Sequence, residues 1–219
     1  MKQGQGKIMA LVALIIATLS LTIGFATYTQ TLNIQETKFD VTPENAFTPN
    51  VKYKENSAVE VGHTGNATVT SAGTIDSEKT LWSGIQVGFT APGESVTLKA
   101  TVENKSTFIA YLDQITTGSN KITCETKTGT GINSATQNIT EACSGIKVTV
   151  TPGTDTANEM IVTSSSVGNV SNISSHSLAA TTGTEDITLK IEYLDGSAVT
   201  DGDFTVTIPL VALTYKSTD

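Results

Sequence analysis

The chain contains no arginine, and its 13 basic residues are all lysines. Proteins that read nucleic acid use arginine for bidentate contacts to phosphate and guanine. The formal net charge is −8, and the lysines form no basic cluster along the chain. Since the electrostatic footprint of a nucleic-acid-binding protein is missing, no nucleic acid is expected among the partners.

Residues that carry catalysis or bind metals are also scarce. His63 and His176 are the only histidines, and Cys124 and Cys143 are the only cysteines. No Gly-x-Ser-x-Gly motif marks a serine hydrolase, and no histidine or cysteine has the spacing of a zinc site. The sequence therefore predicts a protein that is not an enzyme and that has no metal and no cofactor.

One acidic segment leaves cation binding open. Asp195 to Asp203 contains three aspartates between two strongly patterned strands, and oxygen-rich loops suit Ca²⁺. The spacing is not that of an EF-hand, so a polar turn is the favoured interpretation. The sequence alone does not decide whether this loop binds a cation.

A long apolar run stands at the N-terminus. Lys2 and Lys7 precede the run, which extends from residue 8 to residue 26, as in a secretory signal peptide. The run ends in a small-x-small pattern, which predicts cleavage between Ala26 and Thr27. We therefore expect a secreted or cell-surface protein that contacts the membrane through this segment before cleavage.

Two alternatives for this run remain open. An uncleaved anchor needs roughly 20 apolar residues to cross about 30 Å of hydrocarbon, and the run is just long enough. A pilin-type leader would instead be cut after Gly6 and leave a hydrophobic helix on the mature protein. The predicted organisation is a signal peptide or anchor at residues 1–26 and a single domain at residues 27–219.

The remainder of the chain has the composition of an exposed β-protein. Threonine, valine and isoleucine suit strands, while glycine and serine suit turns. Apolar and polar residues alternate at residues 96–103 and 187–193, which predicts half-buried strands. About nine or ten short strands predict an all-β fold, an antiparallel β-sandwich of jelly-roll or immunoglobulin-like type, preceded by one N-terminal hydrophobic helix.

Local patterns lead to four further predictions. Val51 to Tyr53 is expected to be a small strand, and Glu55 to Gly65 a polar, turn-rich segment. Phe108 to Thr116 is expected to form a hairpin with the strand at residues 96–103, with a bulge near Asp113, where its alternation slips. No helix is predicted after residue 27.

An even number of cysteines in an exported chain favours a disulfide between Cys124 and Cys143. Closing this loop would stabilise the domain by roughly 3 kcal/mol on the chain-entropy estimate. Lys121 to Ala142 is then a surface excursion that the disulfide holds at its ends.

Two segments of the chain resemble a known family. Residues 20–29 read Ser-Leu-Thr-Ile-Gly-Phe-Ala-Thr-Tyr-Thr and lead into a short strand, and residues 91–98 read Ala-Pro-Gly-Glu-Ser-Val-Thr-Leu. They resemble secreted proteins with SipW-type signal peptides in low-GC Gram-positive bacteria, the TasA and camelysin family. The resemblance implies a jelly-roll subunit of a biofilm-matrix fibre, whose N-terminal strand inserts into the next subunit's sheet.

The physics of strand pairing permits such an insertion. A strand that cleavage frees at its N-terminus can pair with an exposed sheet edge, whose N–H and C=O groups lack partners. The candidate donor residues are Thr29, Thr31, Leu32 and Ile34. The alternative is that this strand pairs within its own domain.

Three functions follow as hypotheses. The first is a non-enzymatic structural protein of the cell surface or matrix, with self-assembly or other surface proteins as its partners. The second is a binding module for glycans or host proteins, with Trp82 as the candidate ligand contact because an exposed tryptophan stacks on sugar rings; the alternative for Trp82 is a place in the core. The third is a pilin-like subunit that keeps its hydrophobic helix.

Overall fold

The computed structural model describes residues 29–34, 49–126, 139–173, 175–197 and 204–217. The predicted N-terminal hydrophobic helix and the cleavage site between Ala26 and Thr27 lie outside these residues. Within the described ranges, no helix has the length and apolar character required to cross a membrane.

Strands dominate the described residues, which confirms the all-β class. They are β1 (Thr29–Ile34), β2 (Val51–Tyr53), β3 (Val59–His63), β4 (Thr68–Ile75), β5 (Leu81–Gly88), β6 (Ser95–Asn104), β7 (Ala110–Thr116), β8 (Thr123–Thr126), β9 (Ile146–Pro152), β10 (Met160–Thr163), β11 (Asn169–Ser171), β12 (Ser177–Leu178), β13 (Thr184–Tyr193), β14 (Phe204–Thr207) and β15 (Val211–Lys216). One short helix, α1 (Ile139–Ser144), precedes β9, and a 3₁₀ turn (Thr156–Asn158) follows it.

The strands form two main sheets and one small one. The first sheet has the order β11-β7-β15-β1-β5-β4, and β12 also pairs with β7. The second has the order β10-β9-β13-β6-β2, with β3 also paired to β6, while β8 and β14 pair separately. Among the described pairs, every one is antiparallel except that of β1 with β5.

The two clearest predicted strands lie side by side in the second sheet. β6 and β13 pair over nine residues, with Leu98 opposite Leu189 and Val96 opposite Ile191. Their buried residues alternate with more exposed ones, as the period of a half-buried strand requires.

Both main sheets contribute to one hydrophobic cluster. Tyr53 and Leu98 from the second sheet belong to the same cluster as Trp82, Leu213 and Tyr215 from the first. Each fully buried large side chain contributes about 1.5–3 kcal/mol relative to an exposed one. This shared core fixes which face of each strand points inward.

The prediction of a hairpin between residues 96–103 and Phe108 to Thr116 is wrong. β7 belongs to the first sheet, beside β15, and not to the second sheet with β6. The connection between them is held by Asn104, whose side-chain amide donates to the carbonyls of Phe108 and Leu178 at 2.8 and 3.1 Å. The chain therefore crosses from the second sheet to the first. The predicted bulge near Asp113 is present, because Thr214 and Tyr215 of β15 pair with Gln114 and Leu112 and leave Asp113 without a partner in the register.

Several elements escaped the sequence pattern, among them β8, which lies within the predicted surface excursion. β3 lies within the segment predicted to be turns. Its alternation is confined to Val59, Glu60 and Val61, and these residues are exposed on both faces of an edge strand. α1 follows residue 27, where no helix was predicted, and its six residues are too few to reveal a helical period.

The disulfide prediction is confirmed. Cys124 in β8 is joined to Cys143 in α1, with a Cα–Cα distance of 5.9 Å. The bond attaches the small sheet to the helix that leads into β9, so it holds the described ends of the excursion to the core.

Candidate functional site

The N-terminal strand β1 occupies an interior position of the first sheet. It pairs antiparallel with β15 over six residues, from Thr29 opposite Lys216 to Ile34 opposite Val211. On its other side it pairs parallel with β5 over two residues, Asn33 with Leu81 and Ile34 with Trp82. Most of the described pairing of β1 is therefore with β15.

The register of β1 follows the alternation of its sequence. Gln30, Leu32 and Ile34 hold the positions opposite Tyr215, Leu213 and Val211. These three β15 residues are fully buried. Since directly opposite residues share a face of the sheet, Leu32 and Ile34 take register positions on the core-facing side.

Removing β1 from this position would open two sheet edges. The backbone N–H and C=O groups that β15 and β5 direct toward β1 would lose their partners, and such edges pair readily with other strands. The site is therefore a slot for one strand, with β15 as its main wall.

A second feature is the turn that precedes β6. Glu94 is buried, and its carboxylate accepts hydrogen bonds from the Thr90 hydroxyl at 2.7 Å and the Asn66 amide at 3.0 Å. The Thr90 amide also donates to it, at 2.6 Å. Hydrogen bonds from Thr90 first, and then from Asn66 and Ala91, lower the pKa of Glu94 to about 2. The Pro-Gly-Glu segment is thus a turn, and the carboxylate of its glutamate connects it to the neighbouring loops through hydrogen bonds.

Replacing Glu94 with Gln should remove most of the loss of fold stability that protonation of this turn causes in acid. The ordinary pKa is 4.5 and the folded value is about 2, so the carboxylate stabilises the fold above about pH 4.5. That stabilisation is lost as the pH falls through about 2. Thermal unfolding measured from pH 7 to pH 2 should give a lower midpoint temperature for Glu94→Gln than for wild type at neutral pH. The difference between the two midpoint temperatures should decrease as the pH falls toward 2.

The control for this series is Glu78→Gln, at an exposed glutamate. This variant should follow the wild-type curve throughout. A constant offset of Glu94→Gln at every pH would contradict a stabilising role for the ionised carboxylate.

A third feature is a hydrogen-bonded cluster around His176. Its Nδ1 is hydrogen-bonded to Oε1 of Glu185 in β13. Its Nε2 lies 3.0 Å from Oδ2 of Asp155, which also accepts from the amide of Asn158 at 2.6 Å. The ring thus connects the loop before β12, the turn after β9 and the start of β13.

The charges in this cluster influence one another. Burial by itself disfavours the His176 cation, but the hydrogen bonds to Glu185 and Asp155 outweigh it and raise the pKa of His176. Burial raises the pKa of Glu185 despite its bond to His176. The bond from Asn158, followed by that from His176, lowers the pKa of Asp155.

The geometry of His176 does not match that of a catalytic base. In a Ser-His-Asp triad one ring nitrogen faces a carboxylate and the other faces the serine. Here both nitrogens face carboxylates, so neither is available to a serine. His63 is exposed, and its Nδ1 lies 2.6 Å from Oε1 of Glu60.

No group of three or more histidine, cysteine, aspartate or glutamate residues is arranged to hold a metal ion within the described ranges. In the acidic loop, Asp195 accepts a hydrogen bond from the Gly196 amide at 3.0 Å. Residues 198–203 of that loop lie outside the described residues.

Trp82, the candidate ligand contact of the binding-module hypothesis, lies in the core instead. Its side chain is fully buried, and its indole Nε1 donates to the carbonyl of Ala72 at 2.9 Å. The ring packs edge-on against Tyr53, with centroids 6.5 Å apart. Gly73, at φ +90°, leaves room for it, because a Cβ there would lie 2.5 Å from Nε1. The alternative that Trp82 belongs to the core is the observed one.

Sequence reasoning identified β1 and the cysteines but not the two carboxylate clusters. Glu94 belongs to the Pro-Gly-Glu turn, and no feature of the sequence marks its carboxylate as a hydrogen-bond acceptor. His176 and Asp155 are 21 positions apart, and only the fold brings them together.

Comparison with protein-family models and with curated proteins found no match for this chain.

Proposed function

We propose that this protein is a non-enzymatic, exported structural subunit that assembles through its N-terminal strand. In the assembled form, β1 of one subunit pairs with β15 of the next. The observation that carries this proposal is the place of β1, which fills an interior slot of the first sheet and which the proposed cleavage before Thr27 would make the terminal strand. A terminal strand can leave and be replaced by an identical one without any rearrangement of the strands after it.

The proposal includes a β-sandwich of jelly-roll type for the domain at residues 27–219. The shared hydrophobic cluster of the two main sheets supports face-to-face packing. In such a domain the interior face of each sheet is covered, so an unfilled β1 slot would expose core side chains together with two strand edges.

The energetics of exchange favour assembly at high local concentration. A neighbour's β1 makes the same six backbone pairs with β15 that a subunit's own β1 makes, so exchange costs little enthalpy. Residues 35–48 follow β1, and a segment of that length spans at most about 50 Å when fully extended. Head-to-tail exchange that does not close on itself produces an open filament.

The chain that begins at Thr27 is the material for the first test. Electron microscopy of this purified protein at increasing concentration should show uniform filaments. Particles that remain monomeric at every concentration and ionic strength would contradict the assembly proposal.

N-terminal sequencing of the protein recovered from culture medium should give a chain that begins at Thr27, since membrane contact is confined to the precursor.

A further inference from the structure

Three oxygen atoms in the core have no hydrogen-bond partner within the described part of the chain. They are the hydroxyl oxygens of Tyr53 and Tyr215 and the Oε2 atom of Glu185. Both tyrosines are fully buried. A buried polar atom without a partner is costly, and each such atom in a folded protein requires an explanation.

The three groups lie near one another although they come from three strands. Val102 in β6 is opposite Tyr53 of β2 on one side and opposite Glu185 of β13 on the other. Tyr53, Val102 and Glu185 therefore form one row across the second sheet, on the same face. Tyr215 belongs to the first sheet and lies close to both other groups. Burial raises its pKa, and the electrostatic effects of Glu185 and then of Tyr53 raise it further.

We propose that the two hydroxyls and the Glu185 carboxylate together bind one internal water molecule. Each phenol donates its proton to the water oxygen, and the water donates one of its protons to Oε2. Buried waters make about three such bonds, to polar groups that would otherwise be unsatisfied. This water would satisfy all three oxygens.

The chemistry of the three groups fits water better than a cation. Burial raises the pKa of Tyr53 as well as that of Tyr215, so both phenols keep their protons and act as donors. A cation would favour several charged oxygens, and Oε2 of Glu185 is the only carboxylate oxygen of the three. The other carboxylate oxygen, Oε1, is engaged by His176.

The bound water connects the two main sheets through hydrogen bonds. It joins Tyr215 of β15 to Tyr53 of β2 and Glu185 of β13, and through Glu185 to His176. Tyr215 lies opposite Gln30 of β1. The water therefore holds β15, the main wall of the β1 slot, against the second sheet whether or not β1 is paired, and it does not depend on the assembly proposal.

The test combines crystallography with nuclear magnetic resonance. A high-resolution crystal structure of the chain from Thr27 should show a water oxygen within hydrogen-bond distance of Oε2 and both phenol oxygens. In solution, an unassembled sample should show cross-relaxation between a long-lived internal water and protons near Glu185. The double variant Tyr53→Phe/Tyr215→Phe keeps both rings and should lose this signal entirely.

Tyr111→Phe is the matched control, because Tyr111 is a half-buried tyrosine of β7 outside the three-residue group. It should retain the wild-type water signal. A phenol bonded directly to the Glu185 carboxylate in the crystal structure would overturn the proposal, as would a water signal that persists in the double variant. Because the crystal structure uses the unaltered protein, the proposal stays testable even if the double variant fails to fold.

Discussion

Deletion of residues 27–35 is expected to abolish filament formation. The truncated chain lacks β1, so it has an acceptor slot but no donor strand, and no link between subunits can form. It should also unfold at a lower temperature, because β15 and β5 lose the backbone pairing that β1 supplies. Electron microscopy and thermal unfolding of the truncated chain and of the chain that begins at Thr27, side by side, measure both effects.

A peptide with the sequence of residues 27–35 should restore stability to the truncated chain but not assembly. The peptide fills the slot, and a ligand at 100 times its Kd stabilises the folded state by about 2.7 kcal/mol. Filaments should remain absent, because a free peptide links nothing. The control peptide carries lysine in place of Leu32 and Ile34, the register positions opposite buried Leu213 and Val211, and should not bind. Ordered filaments from the truncated chain alone would refute a donor role for β1.

Trp82→Ala is expected to give the largest loss of stability from a single substitution. Replacing a buried tryptophan with alanine removes its transfer free energy and leaves a cavity, at a cost of about 3–5 kcal/mol. It also leaves the Ala72 carbonyl without the indole donor. Urea unfolding should show this loss, while Trp82→Phe, which keeps a ring, should lose less.

Val61→Ala is the control for this substitution. Val61 is 58% exposed in β3, and surface changes usually remain within about 0.5 kcal/mol. A loss below about 1 kcal/mol for Trp82→Ala would mean that Trp82 is not a core residue. Sugar binding that disappears while the fold stays intact would return Trp82 to the surface as a ligand contact.

The strands that could be predicted are those with one covered and one open face. The segments 51–53, 96–103 and 187–193 alternate because every second residue enters the core. β3 could not be predicted from burial periodicity, since it is an edge strand with exposed residues on both faces. α1 is too short for its period to be read, although the disulfide that fixes it was predictable from the cysteine count.

The pairing of strands depended on information that alternation does not contain. The period of a strand shows which residues face inward but not which sheet receives the strand, so β7 was assigned to the wrong neighbour. Asn104 donates hydrogen bonds at the crossing to the carbonyls of Phe108 and Leu178, which are far apart in sequence. For the same reason the groups around Glu185 became visible only in three dimensions.

The candidate assembly site was predictable as a strand but not as a slot. Residues 29–34 alternate and follow a cleavage pattern, which predicted a strand near the N-terminus of the predicted mature chain. That β15 from the chain's other end lies beside it, with β5 on the opposite side, follows from long-range pairing. This placement is what makes exchange between subunits a specific proposal.

Cross-linking between separate chains tests the proposed strand exchange most directly. Thr31 of β1 lies opposite Thr214 of β15, so one sample carries Thr31→Cys and a second carries Thr214→Cys. After the two are mixed and assembled, mild oxidation should join them into a dimer through these two cysteines, identified by mass spectrometry. Thr31→Cys mixed with Thr205→Cys, in the exposed part of β14, should give no such product. If the Thr31–Thr214 link forms only when both cysteines are in one chain, β1 pairs within its own domain and the assembly proposal is wrong.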